Sequence, residues 1–479
     1  MIRAFFVGAV LLAACGPIAQ PADSPTPRPS PAAASQTAGE FDGTRAKAHV
    51  DWLADVARGG RYTGSPGYRD AAGYVADRFS EIGLEPWGDG GTFFQHFTTP
   101  IVDNTAMPAL SRTGAAAKQY KARVDFTESV GGRSGSGSAE AEIAVVGGAA
   151  RANGQNDFAG ANVKGKIALV TGPGMPGGGS AVENAYAEGA AGVLVIGGAT
   201  IRYSPIPRLQ SATIPTLVIT EDVANDLLAA SGKKVSDEQA AVNARRADPN
   251  APDSGFDVPT VVRMSVSLTP VHDVDAFNVV GLLRAPDPDA AKRAVMVGGH
   301  LDGVGTDPDG SVFQAANDNA SGPAVVIEMA RALSAAKASL RHSVLFVAFA
   351  GEEEGLLGSE AYAAQTAVTP GRVESLIAMI DLDVIGCCGS SLIVSSEAPE
   401  LQKRVRDAAT KLGISSQPIG GGGSDQTTFV RRRVPAVFVG WSDYILHTYK
   451  DVPAVVDVAH LKKAGDVLTA VAKDLATAD

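Results

Sequence analysis

Near the start of the chain, hydrophobic residues recur every three to four positions, which is the spacing of an amphipathic helix. This pattern predicts one helix over residues 44–56 and a second over residues 67–82. The segment 59–66, which contains Gly and Pro, interrupts the pattern, and Gly83 is a typical residue at a helix end. We therefore expect two consecutive helices joined by a loop.

At about residue 141 the pattern changes to short runs of β-branched residues, separated by segments rich in Gly and Ser. An Ala-rich helix is predicted over residues 181–191. Strands are predicted over residues 143–146, 166–170, 193–196 and 215–220. We interpret residues 125–255 as an inserted, mixed α/β domain.

From residue 277 onward, predicted strands and helices alternate. Several strand segments are apolar at nearly every position, as is typical of strands that are covered on both faces. The predicted strands are 277–283, 294–298, 343–348, 376–382, 392–394 and 436–439, and the helices include 323–335, 399–411 and 461–476.

This alternation predicts the fold class α/β, with a mixed, mainly parallel central sheet and helices on both faces. Residues 41–124 and 256–479 would together form this larger domain. Ligands of such sheets bind at the carboxyl ends of the strands, so chemically active residues are expected there.

The first 15 residues have the pattern of a bacterial lipoprotein signal peptide. Arg3 precedes an apolar run over residues 4–14, which is too short for a bilayer crossing because about 20 residues are needed. The run ends in LAACG, which resembles a lipobox in which Cys15 becomes lipidated. The alternative is an ordinary signal peptide with a chance cysteine. Residues 16–40 are rich in Pro, Ser and Ala and are predicted to be a disordered linker.

These features predict an exported protein that is attached to a membrane through a lipid on Cys15. Gly16 supplies no acidic retention signal, which favours the outer membrane where the host has one. A periplasmic or extracellular location is the alternative.

Composition narrows the function classes. Hydrophobic residues make up 45% of the 479 residues, which is enough for a large core, and the net charge is −11. Such an acidic chain lacks the basic surface of a nucleic-acid-binding protein. With only seven His and three Cys, any metal site must depend largely on carboxylates.

Two motifs at predicted strand ends each have two interpretations. His300 and Asp302 are two positions apart, so they face the same way on an extended chain, and the carboxylate could orient a metal-binding imidazole. A solvated turn is the alternative. Asp318 lies in the segment ANDNASG before a helix, where capping explains Asp, Asn and Ser and is the interpretation that we favour for this motif alone.

Acidic residues follow two further apolar strands. In GEEEG, Glu353 could bind a metal while Glu352 acts as a proton shuttle. Alternatively, the acids could lie in the first turn of a helix, where the helix dipole favours negative charge. Asp381 and Asp383 lie within an apolar strand, and a buried carboxylate is costly without a partner. We therefore expect at least one of these two Asp residues to meet a cation.

His447 lies in a loop and would be unremarkable alone. As a set, however, five positions at the ends of successive elements supply two His and three acidic side chains. This mixture of nitrogen and oxygen donors suits zinc. The five candidate ligands are His300, Asp318, Glu353, Asp383 and His447.

The order and spacing of GHLD, NDNASG, GEEEGLLGS, DLDVIG and HTYKD resemble the co-catalytic di-zinc aminopeptidases of bacteria and fungi. The resemblance covers residues 40–124 and 256–479. It implies an enzyme that removes N-terminal residues from peptide substrates and holds two zinc ions per chain. One zinc would be bound by His300 and Asp383 and the other by Glu353 and His447, with Asp318 bridging them.

The resemblance also implies roles outside the ligand set. Glu352 would be the general base, and Asp302 would orient His300. Residues 141–219 resemble a protease-associated domain, on the basis of VKGKIALV, the helical segment with AEGAAG, and VLVIGG.

The sequence departs from this family at three places. Gln426 stands where relatives often have His, so we assign it no ligand role, and Tyr449 stands where Pro is frequent. Cys387 and Cys388 could form a vicinal disulfide or a soft ligand pair. We favour a third interpretation, in which they are buried, unbonded side chains.

Three rival functions stay open. A carboxypeptidase or other amide hydrolase would need a cationic pocket, for which Arg431, Arg432 and Arg433 are candidates, although adjacent arginines are more typical of a solvated face. A glutaminyl cyclase of related fold would use a single zinc. A lipid-anchored binding protein would have an inactive site.

Overall fold

The structure is a computed structural model, and it describes residues 39–198, 203, 205–248, 250–251, 255–365 and 371–478. The predicted signal peptide, the lipobox at Cys15 and most of the predicted linker lie outside the described residues. None of the described helices combines the length and the apolar character that a membrane crossing requires.

The described residues form strands and helices that we number in chain order. The strands are β1 (Glu85–Pro86), β2 (Phe94–Ile101), β3 (Asn104–Arg112), β4 (Lys118–Gln119), β5 (Phe126–Glu128), β6 (Val130–Ser134), β7 (Gly137–Val145), β8 (Arg151–Ala152), β9 (Gln155–Asn156), β10 (Ile167–Val170), β11 (Gly192–Ile196), β12 (Pro205–Ile214), β13 (Thr216–Ile219), β14 (Phe256–Leu268), β15 (His272–Leu283), β16 (Ala294–His300), β17 (Ser343–Phe349), β18 (Leu376–Leu382), β19 (Leu392–Ser395), β20 (Ser416–Ile419) and β21 (Ala436–Trp441). The helices are α1 (Gly43–Leu53), α2 (Pro66–Ile82), α3 (Ala181–Ala187), α4 (Glu221–Leu228), α5 (Val235–Ala247), α6 (Ser321–Ser334), α7 (Leu357–Ala364), α8 (Pro399–Lys411), α9 (Gln426–Arg431) and α10 (Val458–Thr477).

Local sequence sets the ends of the first two helices. The side chain of Ser65 accepts a hydrogen bond from the amide of Tyr68 and caps α2, while Gly83 ends that helix with φ 83°. Helix α1 stops at Leu53, earlier than predicted. A short 3-10 turn follows it, in which Gly59 and Gly60 adopt positive φ angles.

The larger sheet has the strand order β1-β15-β17-β16-β18-β21-β19-β20, with β2 also paired to β15. Strands β17, β16, β18 and β21 run parallel at its centre. Strand β15 is antiparallel to β17, and β19 is antiparallel to β21. The predicted mixed α/β fold is therefore confirmed.

Helices cover both faces of the larger sheet, and alternation along the strands explains how. Val295 and Val297 of β16 pack in the core formed with α1, α2, α6 and α10. Met296 points to the other face, where it shares a core with Tyr362 of α7 and Phe429 of α9. Successive residues of a strand point to opposite faces, so a continuously apolar strand is what a doubly covered sheet needs.

The second sheet has the order β4-β3-β14-β7-β10-β11-β13-β5 and its own hydrophobic core. The predicted strands near residues 143, 167, 193 and 216 all belong to it. The sheet also includes β3 and β14, which lie outside the predicted insertion at residues 125–255. These two strands lie just beyond β2 and just before β15 in the chain, so both crossings between the sheets are short.

Candidate metal centre

The predicted site residues follow the carboxyl ends of the parallel central strands. His300 is the last residue of β16, Glu352 and Glu353 follow β17, and Asp383 comes directly after β18. His447 lies in the loop after β21. Because parallel strands end at one edge of a sheet, these side chains converge there.

Distances show how closely they converge. The Nε2 atom of His300 lies 3.3 Å from an Asp318 oxygen and 3.4 Å from an Asp383 oxygen. The Nε2 atom of His447 lies 3.1 Å from the other Asp318 oxygen and 2.8 Å from a Glu353 oxygen. Asp318 therefore lies between the two imidazoles and contacts both.

These five side chains form two groups that could each hold a metal ion, and the two groups share Asp318. The groups are His300 with Asp318 and Asp383, and Asp318 with Glu353 and His447. Three of the atoms, His300 Nε2, Glu353 Oε1 and Asp383 Oδ1, are buried and lack a hydrogen-bond partner. Buried polar atoms rarely stay unpaired, so the donor set fits divalent cations.

The segment that carries Asp318 contains both a capping residue and a candidate metal ligand, the two interpretations that its sequence allowed. Asn319 acts as a local cap, since its side-chain oxygen accepts a 2.7 Å hydrogen bond from the amide of Gly322. Its side-chain nitrogen donates to the carbonyl oxygen of Leu382 at the end of β18. Asp318, one residue earlier, instead faces the two histidines.

Asp302 contacts His300 through its main chain more closely than through its carboxylate. Nδ1 of His300 lies 3.2 Å from the carbonyl oxygen of Asp302 and 3.8 Å from its carboxylate. The carboxylate accepts a 3.1 Å hydrogen bond from the amide of Glu353. A proton on Nδ1 that is donated to this carbonyl leaves Nε2 free as a metal ligand.

The three glutamates of the GEEEG segment have different surroundings. Glu352 is half-buried, Glu353 is buried against His447, and Glu354 is fully buried and accepts a 2.8 Å hydrogen bond from the Thr63 hydroxyl. Burial raises the pKa of Glu353 to about 7, an effect that His447 partly offsets. Only Glu352 of the three reaches towards solvent.

Electrostatics couples the two histidines to the acids around them. Burial alone would lower the pKa of His300, but Asp383 and Glu352 outweigh burial and raise that pKa well above its ordinary value. Burial would raise the pKa of Asp318, yet the contacts from His300 and His447 hold it well below its usual range. The site thus attracts positive charge strongly.

Sequence reasoning missed a role for Asp451. This buried carboxylate accepts hydrogen bonds from the amides of Asn317, at 2.7 Å, and of Asp318, at 2.9 Å. It therefore fixes the main chain that presents Asp318. The available signal was its place in the HTYKD motif, four residues after His447.

Sequence reasoning also missed Arg61, because the segment GGRYTGSP was interpreted only as a loop. The Arg61 side chain is fully buried and donates to four main-chain carbonyl oxygens at 2.7 to 3.0 Å. Those carbonyls belong to Leu53, Leu301, Gln314 and Ala315. Arg61 thus ties α1 to the two segments that flank the metal-ligand candidates.

Gln426 does not face the metal-ligand candidates. Its amide donates to buried Asp381 at 3.0 Å and its side chain donates to Glu397 at 3.2 Å.

The favoured interpretation of Cys387 and Cys388 is wrong, because their sulfur atoms are bonded to each other. The prediction rested on the general tendency of cysteine to be buried, which considers each residue alone. It does not take into account that two adjacent cysteines can form a disulfide under oxidising conditions.

Comparison with known sequences identifies two families within the chain. Residues 278–472 match the model of peptidase family M28, and residues 139–227 match the PA domain. Aminopeptidase YwaD of Bacillus subtilis (strain 168) is 29% identical over 207 residues, which is 40% of this chain and 43% of that protein. Endoplasmic reticulum metallopeptidase 1 of Homo sapiens is 30% identical over 216 residues, which is 42% of this chain and 23% of that protein. The chain thus matches less than half the length of these curated relatives.

Solved structures share the whole fold. The aminopeptidase from Aneurinibacillus sp. strain AM-1 superposes with a TM-score of 0.65 at 21% identity, over 92% of this chain and 95% of that one. BSAP, a zinc aminopeptidase from Bacillus subtilis, gives a TM-score of 0.63 at 22% identity, over 90% and 95%. Residues 278–472 are therefore similar to peptidase family M28, residues 139–227 are similar to the PA domain, and the fold is that of the two solved structures.

Proposed function

We propose that this protein is a zinc-dependent aminopeptidase that removes N-terminal residues from peptides and holds two zinc ions per chain. The observation that carries the proposal is the pair of three-residue groups that share Asp318. Two metals that share one carboxylate need such a ligand set. The relatives named above include an aminopeptidase and a zinc aminopeptidase, which supports this assignment.

In this proposal, His300 and Asp383 would hold one zinc, Glu353 and His447 would hold the other, and Asp318 would be a ligand common to both groups. When bound, zinc supplies a water of lowered pKa and a positive charge that polarises the scissile carbonyl. The chain's own task is to hold the ligands in place and to move protons. Asp302 fixes the ring of His300, and Asp451 fixes the main chain of Asp318.

Glu352 is the proposed general base. It is grouped with His300 and Glu353, and it is the member of GEEEG that reaches towards solvent, where a substrate arrives. It would accept the proton of the attacking water and then pass it to the leaving amine. The free amine of a peptide N-terminus would be attracted by the surrounding carboxylates.

A Glu352→Gln variant tests this role. We expect kcat on a leucyl anilide to fall by about 10²- to 10⁴-fold, the usual contribution of a general base, while bound zinc is unchanged. Glu374→Gln, at a glutamate with a 75% exposed side chain, is the matched control and should retain full activity. Full activity of a zinc-loaded Glu352→Gln enzyme would refute the assignment.

Substrate panels separate the rival functions. An aminopeptidase cleaves peptides with a free N-terminus and spares N-acetylated ones. A carboxypeptidase cleaves N-acetylated peptides that have a free C-terminus and spares peptides whose C-terminus is blocked. The arginine cluster gives the carboxypeptidase little support, because the Arg432 guanidinium already donates to Glu360 at 2.7 Å. A zinc content near one per chain would favour a cyclase, and inactivity with full zinc would favour a binding protein.

We also propose that the protein is exported and attached to a membrane through Cys15, with residues 16–40 as a tether and an inserted domain near residues 125–255. The lipobox pattern LAACG supports the anchor. Metabolic labelling with a radioactive fatty acid should mark the full chain and should fail for Cys15→Ser. Equal labelling of both would contradict the anchor.

A further inference from the structure

His447 has a main-chain conformation that needs support from its surroundings. Its φ angle is 57°, in the left-handed region, which is unfavourable for a residue other than glycine and persists where neighbouring groups hold it. Asp451 is hydrogen-bonded to the Asp318 segment on one side of this loop. On the other side, the carbonyl oxygen of His447 accepts a 3.4 Å hydrogen bond from the amide of Tyr203.

Tyr203 belongs to the segment that matches the PA domain, and it is buried against the catalytic loops. Its side chain is grouped with Val304 and Phe313 in a small hydrophobic cluster. The Tyr203 and Phe313 rings stack with centroids 5.7 Å apart, and the Phe313 and Tyr449 rings lie 4.5 Å apart. The aromatic contacts therefore run from the PA segment to the residue two positions after His447.

A buried ion pair between Arg123 and Asp307 links the same segments. Asp307 accepts a hydrogen bond from the Tyr449 hydroxyl and two more from the Arg123 guanidinium, at 2.8 and 2.7 Å. Arg123 also donates to Glu128 of β5 at 2.9 Å and lies 4.3 Å from the centre of the Tyr203 ring. Bidentate pairs between arginine and carboxylate are strong and geometrically specific.

We propose that Tyr203, Arg123, Asp307 and Tyr449 are positioning residues for the metal site at His447, so that the inserted domain sets the affinity of one of the two zinc ions. This inference rests on the proposed di-zinc function. Groups that orient a metal ligand from behind typically change metal affinity by about 10- to 100-fold. His300 receives no contact from these four residues among the described hydrogen bonds, so its zinc should be insensitive to them.

Stepwise zinc affinity of the full chain tests the proposal. The protein is stripped of metal and titrated with zinc against a chromophoric chelator, which yields two dissociation constants. His447→Gln identifies which of the two constants belongs to the His447 site. The test variants are Tyr449→Phe, which removes only a hydroxyl, and Tyr203→Ala, which removes the stacked ring.

We expect both variants to weaken zinc binding at the His447 site by about 10- to 100-fold and to leave the other site unchanged. Tyr203→Phe keeps the ring and should bind zinc like the wild type. Tyr186→Ala is the matched control, because Tyr186 is an exposed tyrosine of the same PA segment that contacts Arg133. It should change neither constant.

If the wild type binds two zinc ions, two results would overturn this inference and leave the proposed function intact. The first is that Tyr449→Phe and Tyr203→Ala change neither zinc affinity. The second is that they weaken zinc binding equally at both sites. Where Tyr203→Ala does not fold, Tyr449→Phe decides, since it keeps the packing of the ring. A wild type that binds no zinc would overturn the proposed function and this inference with it.

Discussion

Replacing Arg61 should destabilise the fold far more than replacing any exposed arginine. The Arg61 guanidinium is completely buried and donates four hydrogen bonds to main-chain carbonyls of α1 and of the loops that flank Asp302 and Asp318. Arg61→Met keeps most of the side-chain volume and removes every donor. The four carbonyls would then lose a partner that water cannot easily replace.

The size of the effect follows from two opposing contributions. A hydrogen bond to a charged group contributes about 1.5–3 kcal/mol, so four bonds would favour the fold by roughly 6–12 kcal/mol in isolation. Burial of the charge costs several kcal/mol, and it lowers the pKa of Arg61 to about 10 even though Asp451, Asp302 and Asp318 act in the opposite direction. Removing one partner from a buried charged network therefore costs about 3–5 kcal/mol.

Urea unfolding of the metal-free protein, followed by far-ultraviolet circular dichroism, measures this loss. The matched control is Arg404→Met, because Arg404 is half-exposed and pairs with Asp474 at 2.8 Å on the surface. The control should lose at most about 1 kcal/mol. Arg61→Lys should lie between the two, since one ammonium cannot reach four carbonyls. If Arg61→Met unfolds at the same urea concentration as Arg404→Met, our account of Arg61 is wrong.

Three further predictions follow from named contacts. Asp451→Asn should weaken zinc binding by about 10- to 100-fold in a chelator competition, because an amide cannot accept from both Asn317 and Asp318, whereas the surface variant Asp466→Asn should not. Burial lowers the pKa of His49 to about 3, so this residue protonates near pH 6.5 only in the unfolded chain. The stability that neutral His49 contributes is complete above pH 6.5 and is lost as the pH falls towards 3, by up to about 5 kcal/mol. A melting temperature that falls with acid equally in wild type and His49→Phe would contradict this. Chelation of zinc should abolish cleavage, and added zinc should restore it; activity that survives metal-free dialysis would contradict the zinc requirement.

The central strands and the metal-ligand candidates could be predicted because they leave local patterns. Strands β16, β17 and β18 are covered on both faces, so they are continuously apolar, and the polar residues at their ends contrast sharply with them. Strands β3 and β14 pair with each other in the second sheet, and they were missed because they are only partly buried and carry many polar residues. Mixed polar and apolar patterns of this kind contrast less with loops than a continuous apolar run does.

The residues that position the site could not be predicted, because their partners lie far away in the chain. Asp451 binds the amide of Asn317, 134 residues earlier, and Arg61 binds a carbonyl 240 residues later. The partners are main-chain atoms, an amide donor for Asp451 and a carbonyl acceptor for Arg61, and every residue possesses such atoms, so no side-chain pattern marks them. Tyr449 shows the same limit, since its departure from the family was visible but its partner Asp307 was not.

Asp381 and Asp383 show why a buried acid by itself does not identify a metal ligand. Both are buried and two positions apart at the end of β18, yet their surroundings differ. Asp383 lies 3.4 Å from His300 in a group that could hold a metal, whereas Asp381 accepts from the amide of Gln426. Burial, reinforced by Asp425, raises the pKa of Asp381 well above its usual range. The cost of burying a carboxylate can thus be lowered by a nearby cation, as at Asp383, or by protonation, as at Asp381. Here the contact with the His300 imidazole distinguishes the two residues.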